Sequence, residues 1–175
     1  MAIDSYKGLQ PLLGEAVYVH PSATVIGDVV LGDRVSIWPG VVIRGDVNSI
    51  RVGADSNIQD NSVLHVSHKN PTHPEGAPLV IGERVTVGHA CILHGCMIGD
   101  ECLIGMGAIV MDRAVLQPRV LLGAGSLVPE GKGLESGWLY LGRPARPVRR
   151  LTESEIAGLR AHAEHYVEWA ADYRE

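Results

Sequence analysis

Three histidines, His65, His89 and His94, lie within one short stretch of the chain. Three neutral imidazoles are a ligand set for a catalytic zinc, because they leave the ion its charge and a fourth position for water. An isolated histidine is ordinarily a surface residue, and His20, His162 and His165 are read that way. Whether the other three converge depends on the elements that carry them.

Those elements are set by a repeat. Apolar residues recur every six positions at Val19, Val25, Leu31, Ile37 and Ile43, with Gly27, Asp28, Gly32 and Asp33 at the turns between them. After a three-residue slip the series resumes at Val52, Ile58 and Leu64, then at Ile81, Val87 and Leu93. One deleted residue later it runs through Ile98, Ile104, Val110, Leu116, Leu122 and Val128. Neither a helix nor a straight strand has a period of six, whereas a chain that turns a corner every six residues does. Three short strands make a triangular coil, and coils stack at the normal strand spacing of about 4.8 Å. The expected fold is all-β, a parallel β-helix in which each coil buries its aliphatic residue against its neighbours.

The fourth residue after most of these aliphatics is also small: Val29, Val35, Val41, Val47, Cys91, Cys102, Ala108, Ala114, Val120 and Ser126. A narrow triangular interior explains them, and it explains why 175 residues contain 21 glycines and no phenylalanine. Cys91 and Cys102 are read as packing; Cys96 lies off the pattern. Residues 1–128 are assigned to the solenoid, with a protruding loop at 68–79 where Pro71, Pro74, Gly76 and Pro78 break the repeat. Residues 129–151 are read as an irregular return segment. Residues 152–175 are read as a C-terminal α-helix, opened by a Thr152/Glu155 capping box and packed on the solenoid or a neighbouring subunit.

A formal charge of −5 without a basic face gives no footprint for nucleic acid or an anionic membrane. The four arginines Arg143, Arg146, Arg149 and Arg150 are proline-interrupted and read as a surface segment. No apolar run spans a bilayer, the first residues lack signal-peptide character, and three cysteines without a CxxC suit a reducing compartment. A cytoplasmic protein is expected.

Every third hexad returns to the same face. If the slip after Ile43 and the 68–79 loop each replace one connection, Ile43, Leu64 and Leu93 stack, and Arg44, His65 and His94 form a column beside them. His65 and His94 then lie about 5 Å apart on adjacent coils. His89 follows Val87 on another face and reaches the same ion only from a neighbouring chain, as in a cyclic trimer.

The hexapeptides together with Arg44-Gly45-Asp46, Asn57-Ile58-Gln59-Asp60-Asn61, Leu64-His65, Gly88-His89, Leu93-His94-Gly95 and Gly142-Arg143-Pro144-Ala145-Arg146 resemble the γ-class carbonic anhydrases, in particular their short bacterial relatives of the YrdA and PaaY type. The resemblance covers nearly the full chain. It implies a left-handed β-helix and a homotrimer holding Zn2+, or Fe2+ or Co2+, through His65, His89 and His94. The activity implied is reversible hydration of CO2 to bicarbonate by a metal-bound hydroxide. Arg44 and Asp46 match residues that pair across the subunit boundary. Gln59 matches the residue that hydrogen-bonds the metal-bound water, with Asn57 and Asp60 beside it, and Tyr140 matches, loosely, a tyrosine close to the site. The sequence departs from the archaeal prototype where acidic proton carriers are expected: Val47 stands at one such position and Val66-Ser67-His68 follows the first ligand. His68 or His73 is a candidate substitute, since imidazole titrates near neutral pH. Three other readings stay open: a metal-dependent acyl-CoA thioesterase, a hexapeptide acyltransferase with one histidine as general base, and a trimeric metal-binding protein of weak turnover.

Overall fold

A computed structural model describes residues 2–174; Met1 and Glu175, the outer ends of the expected segments, lie outside the described residues. Short parallel strands wind into a β-helix of three faces. On the first face Val25, Ile43, Leu64, Leu93, Val110 and Val128 are register partners from coil to coil. On the second the stack is Val19, Ile37, Ile58, Val87, Ile104, Leu122 and Tyr140. On the third it is Leu13, Leu31, Val52, Ile81, Ile98, Leu116 and Leu134. The six-residue period therefore reproduces the stacking, through both the slip and the loop.

The inward residues between these stacks are better described as lying two positions before each aliphatic. Val35, Val41, Cys91, Cys102, Ala108, Ala114 and Val120 are all fully buried, and so is Cys96, two before Ile98. The deleted residue hid Cys96 from the pattern; it is interior packing like its neighbours. Val47 is a correction. It is 42% exposed, because the register shifts between Gly27 and Val29 and pairs Val29 with Ile50, which takes the interior place.

The solenoid also runs past Val128. Gly133–Leu134 pairs with Val115–Leu116, and Trp138–Gly142 pairs with Leu121–Leu122. An antiparallel strand, Ala145–Arg150, then closes the sheet. Leu134 and Tyr140 continue the period of six; the prolines and glycines around them fall at corners and do not break it. The loop is tighter than expected, since Ser67 and Ala77 hydrogen-bond each other in both directions at 3.0 Å and Leu79 already opens the next strand. The excursion proper is thus 68–76.

Among the described residues there is one helix, α1 (Glu153–Asp172), capped at Thr152 by a complete capping box formed with Glu155. Leu159, Ala163 and Ala170 are its buried residues. It lies on the second face of its own chain, where Trp38 meets Tyr166 edge-to-face at 5.5 Å and Tyr18 at 5.6 Å. Among the described residues no helix is long and apolar enough to cross a membrane.

Candidate metal centre

Ile43, Leu64 and Leu93 point inward, so the next residue on each strand points out, and His65 and His94 are direct register partners. His65 Nδ1 lies 3.1 Å from His94 Nε2. The outer nitrogens are both on carboxylates: His65 Nε2 is 3.0 Å from Asp46 Oδ1, and His94 Nδ1 is 2.5 Å from Asp112 Oδ1. An ionised carboxylate only accepts, so each outer nitrogen carries the hydrogen and each neutral ring turns a lone pair toward the other. Two nitrogens bound to one tetrahedral zinc at about 2.0–2.1 Å lie about 3.3 Å apart, close to the separation seen here. The donor set fits a cation between the rings.

Electrostatics favour a neutral His65. Burial, and after it the charges of Arg44 and His94, holds His65 below its ordinary value despite the Asp46 hydrogen bond. Burial alone raises Asp46, but hydrogen bonds from His65 and Arg44 outweigh it and the carboxyl falls below the usual range. Asp112 behaves alike, with burial opposed by Ser67 and His94.

Two glycines make this geometry possible. A Cβ on Gly45 would stand 2.6 Å from the Asp28 carbonyl oxygen of the adjoining strand, so only glycine lets the backbone close up where the register shifts just ahead of Asp46. A Cβ on Gly95 would stand 2.6 Å from Asp112 Oδ1 and block the carboxylate from His94.

His89 belongs to a second group. Its Nδ1 is 2.9 Å from Asp60 Oδ2, which leaves Nε2 as the outward nitrogen of a half-exposed ring. Asp60 and His89 each lie two residues beyond register partners, Ile58 and Val87. Below them, Asn57 Nδ2 donates to Thr86 Oγ1 at 3.1 Å and Gln59 Nε2 donates to Asn57 Oδ1 at 3.0 Å, a buried ladder that fixes the Gln59 amide. Among the described residues, no three histidine, cysteine, aspartate or glutamate side chains of one chain come together as a metal-ligand cluster.

The structure thus gathers His65, His94, Asp46 and Arg44 on one side, and His89, Asp60, Gln59 and Asn57 on the other. Arg44 pairs with Asp46 inside the chain. Tyr140 joins neither group. It stacks over Leu122 in the interior, three register steps from Val87, and its hydroxyl accepts from the Glu135 amide at 2.9 Å. Asp112 and Ser67 were not foreseen. The period held a signal for Asp112, two residues past Val110, the partner of Leu93, but no motif drew attention to it.

Comparison with known proteins extends this geometry. Over 168 residues, 96% of this chain and 91% of the relative, the sequence is 54% identical to Protein YrdA of Escherichia coli K12. The chain belongs to the YrdA family of γ-carbonic anhydrase-like proteins. A protein named carbonic anhydrase from Geobacillus kaustophilus is 44% identical over 97% of the chain and 89% of its own length. The family model for bacterial transferase hexapeptide (six repeats) matches residues 11–45. A solved hexapeptide transferase family protein from Anaplasma phagocytophilum superposes with a TM-score of 0.91 at 44% identity, covering 98% of both chains. The YrdA-family chain therefore has relatives named for two chemistries, CO2 hydration and group transfer, and its own side chains must discriminate between them.

Proposed function

We propose that this protein is a γ-class carbonic anhydrase-like metalloenzyme that hydrates CO2 reversibly to bicarbonate at sites shared between the subunits of a homotrimer. The observation that carries this reading is the facing pair His65–His94, each ring backed by a carboxylate, with a third such histidine, His89, elsewhere on the same chain. An acyltransferase needs one histidine as base and leaves the other two, with their carboxylates, without a task.

The placement of the two groups supports the trimer. His89 sits at the corner where the chain enters the first face, and His94 at the corner where it leaves. Between them runs an outward column of Val42, Val63, Ile92, Ile109 and Leu127, with Val63 39% and Ile92 42% exposed. Three copies turning this face toward a common axis bring the leaving corner of one to the entering corner of the next, and the same contact closes three times.

Zn2+, with Fe2+ or Co2+ as substitutes, supplies in such a site the Lewis acidity that brings a water to hydroxide near pH 7. The chain's own residues then have distinct tasks. Asp46, Asp112 and Asp60 hold the three imidazoles in the tautomer that turns a lone pair inward. Gln59, locked by Asn57 and Thr86, hydrogen-bonds the nucleophilic oxygen. Arg44 keeps Asp46 ionised and orders the boundary. Hydration releases one proton per turnover, and His68, exposed at the start of the 68–76 excursion, is assigned to carry it away. A His68→Ala variant is expected to slow in dilute buffer and recover in concentrated imidazole buffer; equal rates in both would remove His68 from the route. Three free, buried cysteines fit a reducing compartment, and we assign the protein to the cytoplasm.

The test is metal analysis of the purified protein, followed by CO2 hydration assays with Zn2+ and, under reducing conditions, Fe2+ or Co2+. About one metal per chain is expected, with hydration abolished in His94→Ala. A trimer that binds no metal contradicts the reading, and one that binds metal and hydrolyses acyl thioesters without hydrating CO2 contradicts the choice of substrate.

A further inference from the structure

We infer that Asp112 is a positioning residue of this centre: with Ser67 it fixes the tautomer and aim of His94, and it ties that ligand to the root of the 68–76 excursion. The inference rests on the metal reading above.

Both oxygens of Asp112 are committed. Oδ1 faces His94 Nδ1 at 2.5 Å, and Oδ2 accepts from Ser67 Oγ at 2.6 Å. Ser67 is in turn held from three directions. Its amide and carbonyl both pair with Ala77, and the carbonyl also accepts from Asn48 Nδ2 at 3.0 Å, an amide that donates as well to the Glu75 carbonyl at 2.8 Å. The hydroxyl that orients Asp112 is therefore part of a clamped loop base. Gly95 clears the path, since a side chain there would occupy the space of the carboxylate.

Asp112 and Asp46 back neighbouring rings but are differently employed. Asp46 shares its charge with the Arg44 guanidinium, whereas the second partner of Asp112 is a neutral hydroxyl. A carboxylate on the outer nitrogen of a ligand histidine fixes the ring and raises its basicity, and removing such a partner weakens metal binding roughly ten- to a hundredfold.

The experiment challenges the purified, zinc-loaded trimer with graded concentrations of a chromophoric chelator and reads the zinc transferred, alongside the d–d spectrum of Co2+-substituted protein. In Asp112→Leu the zinc is expected to be held roughly ten- to a hundredfold more weakly and the Co2+ spectrum to shift, with assembly unchanged. Asp112→Asn, whose amide oxygen still accepts from Nδ1–H but carries no charge, is expected to recover part of that loss. Ser67→Ala is expected to weaken binding in the same direction by a smaller factor; should the Leu variant fail to assemble, this variant decides. Wild-type affinity in Asp112→Leu or, if that fails, in Ser67→Ala overturns the inference, as does an Asn variant as weak as Leu. A wild-type protein that holds no zinc removes the metal reading itself, whereas tight wild-type binding with indifferent variants removes only the role of Asp112.

Discussion

His65 and His94 meet across 3.1 Å with Asp46 and Asp112 behind them, and this arrangement separates the chain from a solenoid that merely displays histidines. The cysteines show the opposite use of an ionisable side chain. Burial pushes the Cys91 thiol up to about 11, and those of Cys96 and Cys102 to about 12. With each thiol protonated and enclosed, none is expected to react with a disulfide reagent at pH 8 in the native protein, and all three to react once urea unfolds it; a fast native phase would contradict their placement. Counting hexads made the His65–His94 pair legible before any coordinates, because both follow stacked aliphatics by one residue. Asp112 was equally countable, but an aspartate near a turn carries no chemical signature until its partner is known. Tyr140 is the converse case: a loose motif match suggested a place near the site, while the period, followed six residues at a time from Val128, puts its side chain in the interior stack.

At the scale of elements, each coil is a triangle whose interior accepts aliphatics of fixed size. Ile58 is fully buried between Ile37 and Val87. Ile58→Phe is expected to destabilise the protein by about 1–3 kcal/mol through overpacking, read as a lowered urea midpoint; an unchanged midpoint would show the interior to be looser than drawn. Helix α1 depends on its first turn. Thr152→Ala is expected to remove about 1 kcal/mol. Glu155, hydrogen-bonded by Arg149 and by the Thr152 amide, is pulled down to about 2. Its folded value lies below the unfolded value of about 4.3, so its contribution is complete above that value and disappears as pH falls through about 2. The stability gap between wild type and Glu155→Gln is expected to be constant above pH 5 and to close toward pH 2; a gap independent of pH would contradict the pairing. The capping box was legible as a motif, whereas the last coil was not, because the prolines and glycines at its corners outweighed the two spacings of six that carry it.

For the whole molecule, one face decides the account. The apolar column Val42, Val63, Ile92, Ile109 and Leu127 lies between the His89 corner and the His94 corner, and α1 covers the second face. A charge at its centre, Ile92→Glu, is expected to dissociate the trimer and release the metal together, checked by sedimentation and metal analysis; metal retained by monomers would contradict a shared site. The sequence could indicate that His89 faces away from the other two, but one chain's pattern holds no record of its neighbour. A shared site requires its ligands to come from two chains. The most direct test unfolds His65→Ala and His89→Ala chains, each metal-free alone, mixes them in equal amounts, refolds them and measures bound metal. Random cyclic trimers place an intact His65–His94 pair beside an intact His89 at one interface in four, so recovery of about a quarter of the wild-type metal is predicted; no recovery in mixed trimers of verified composition would contradict it.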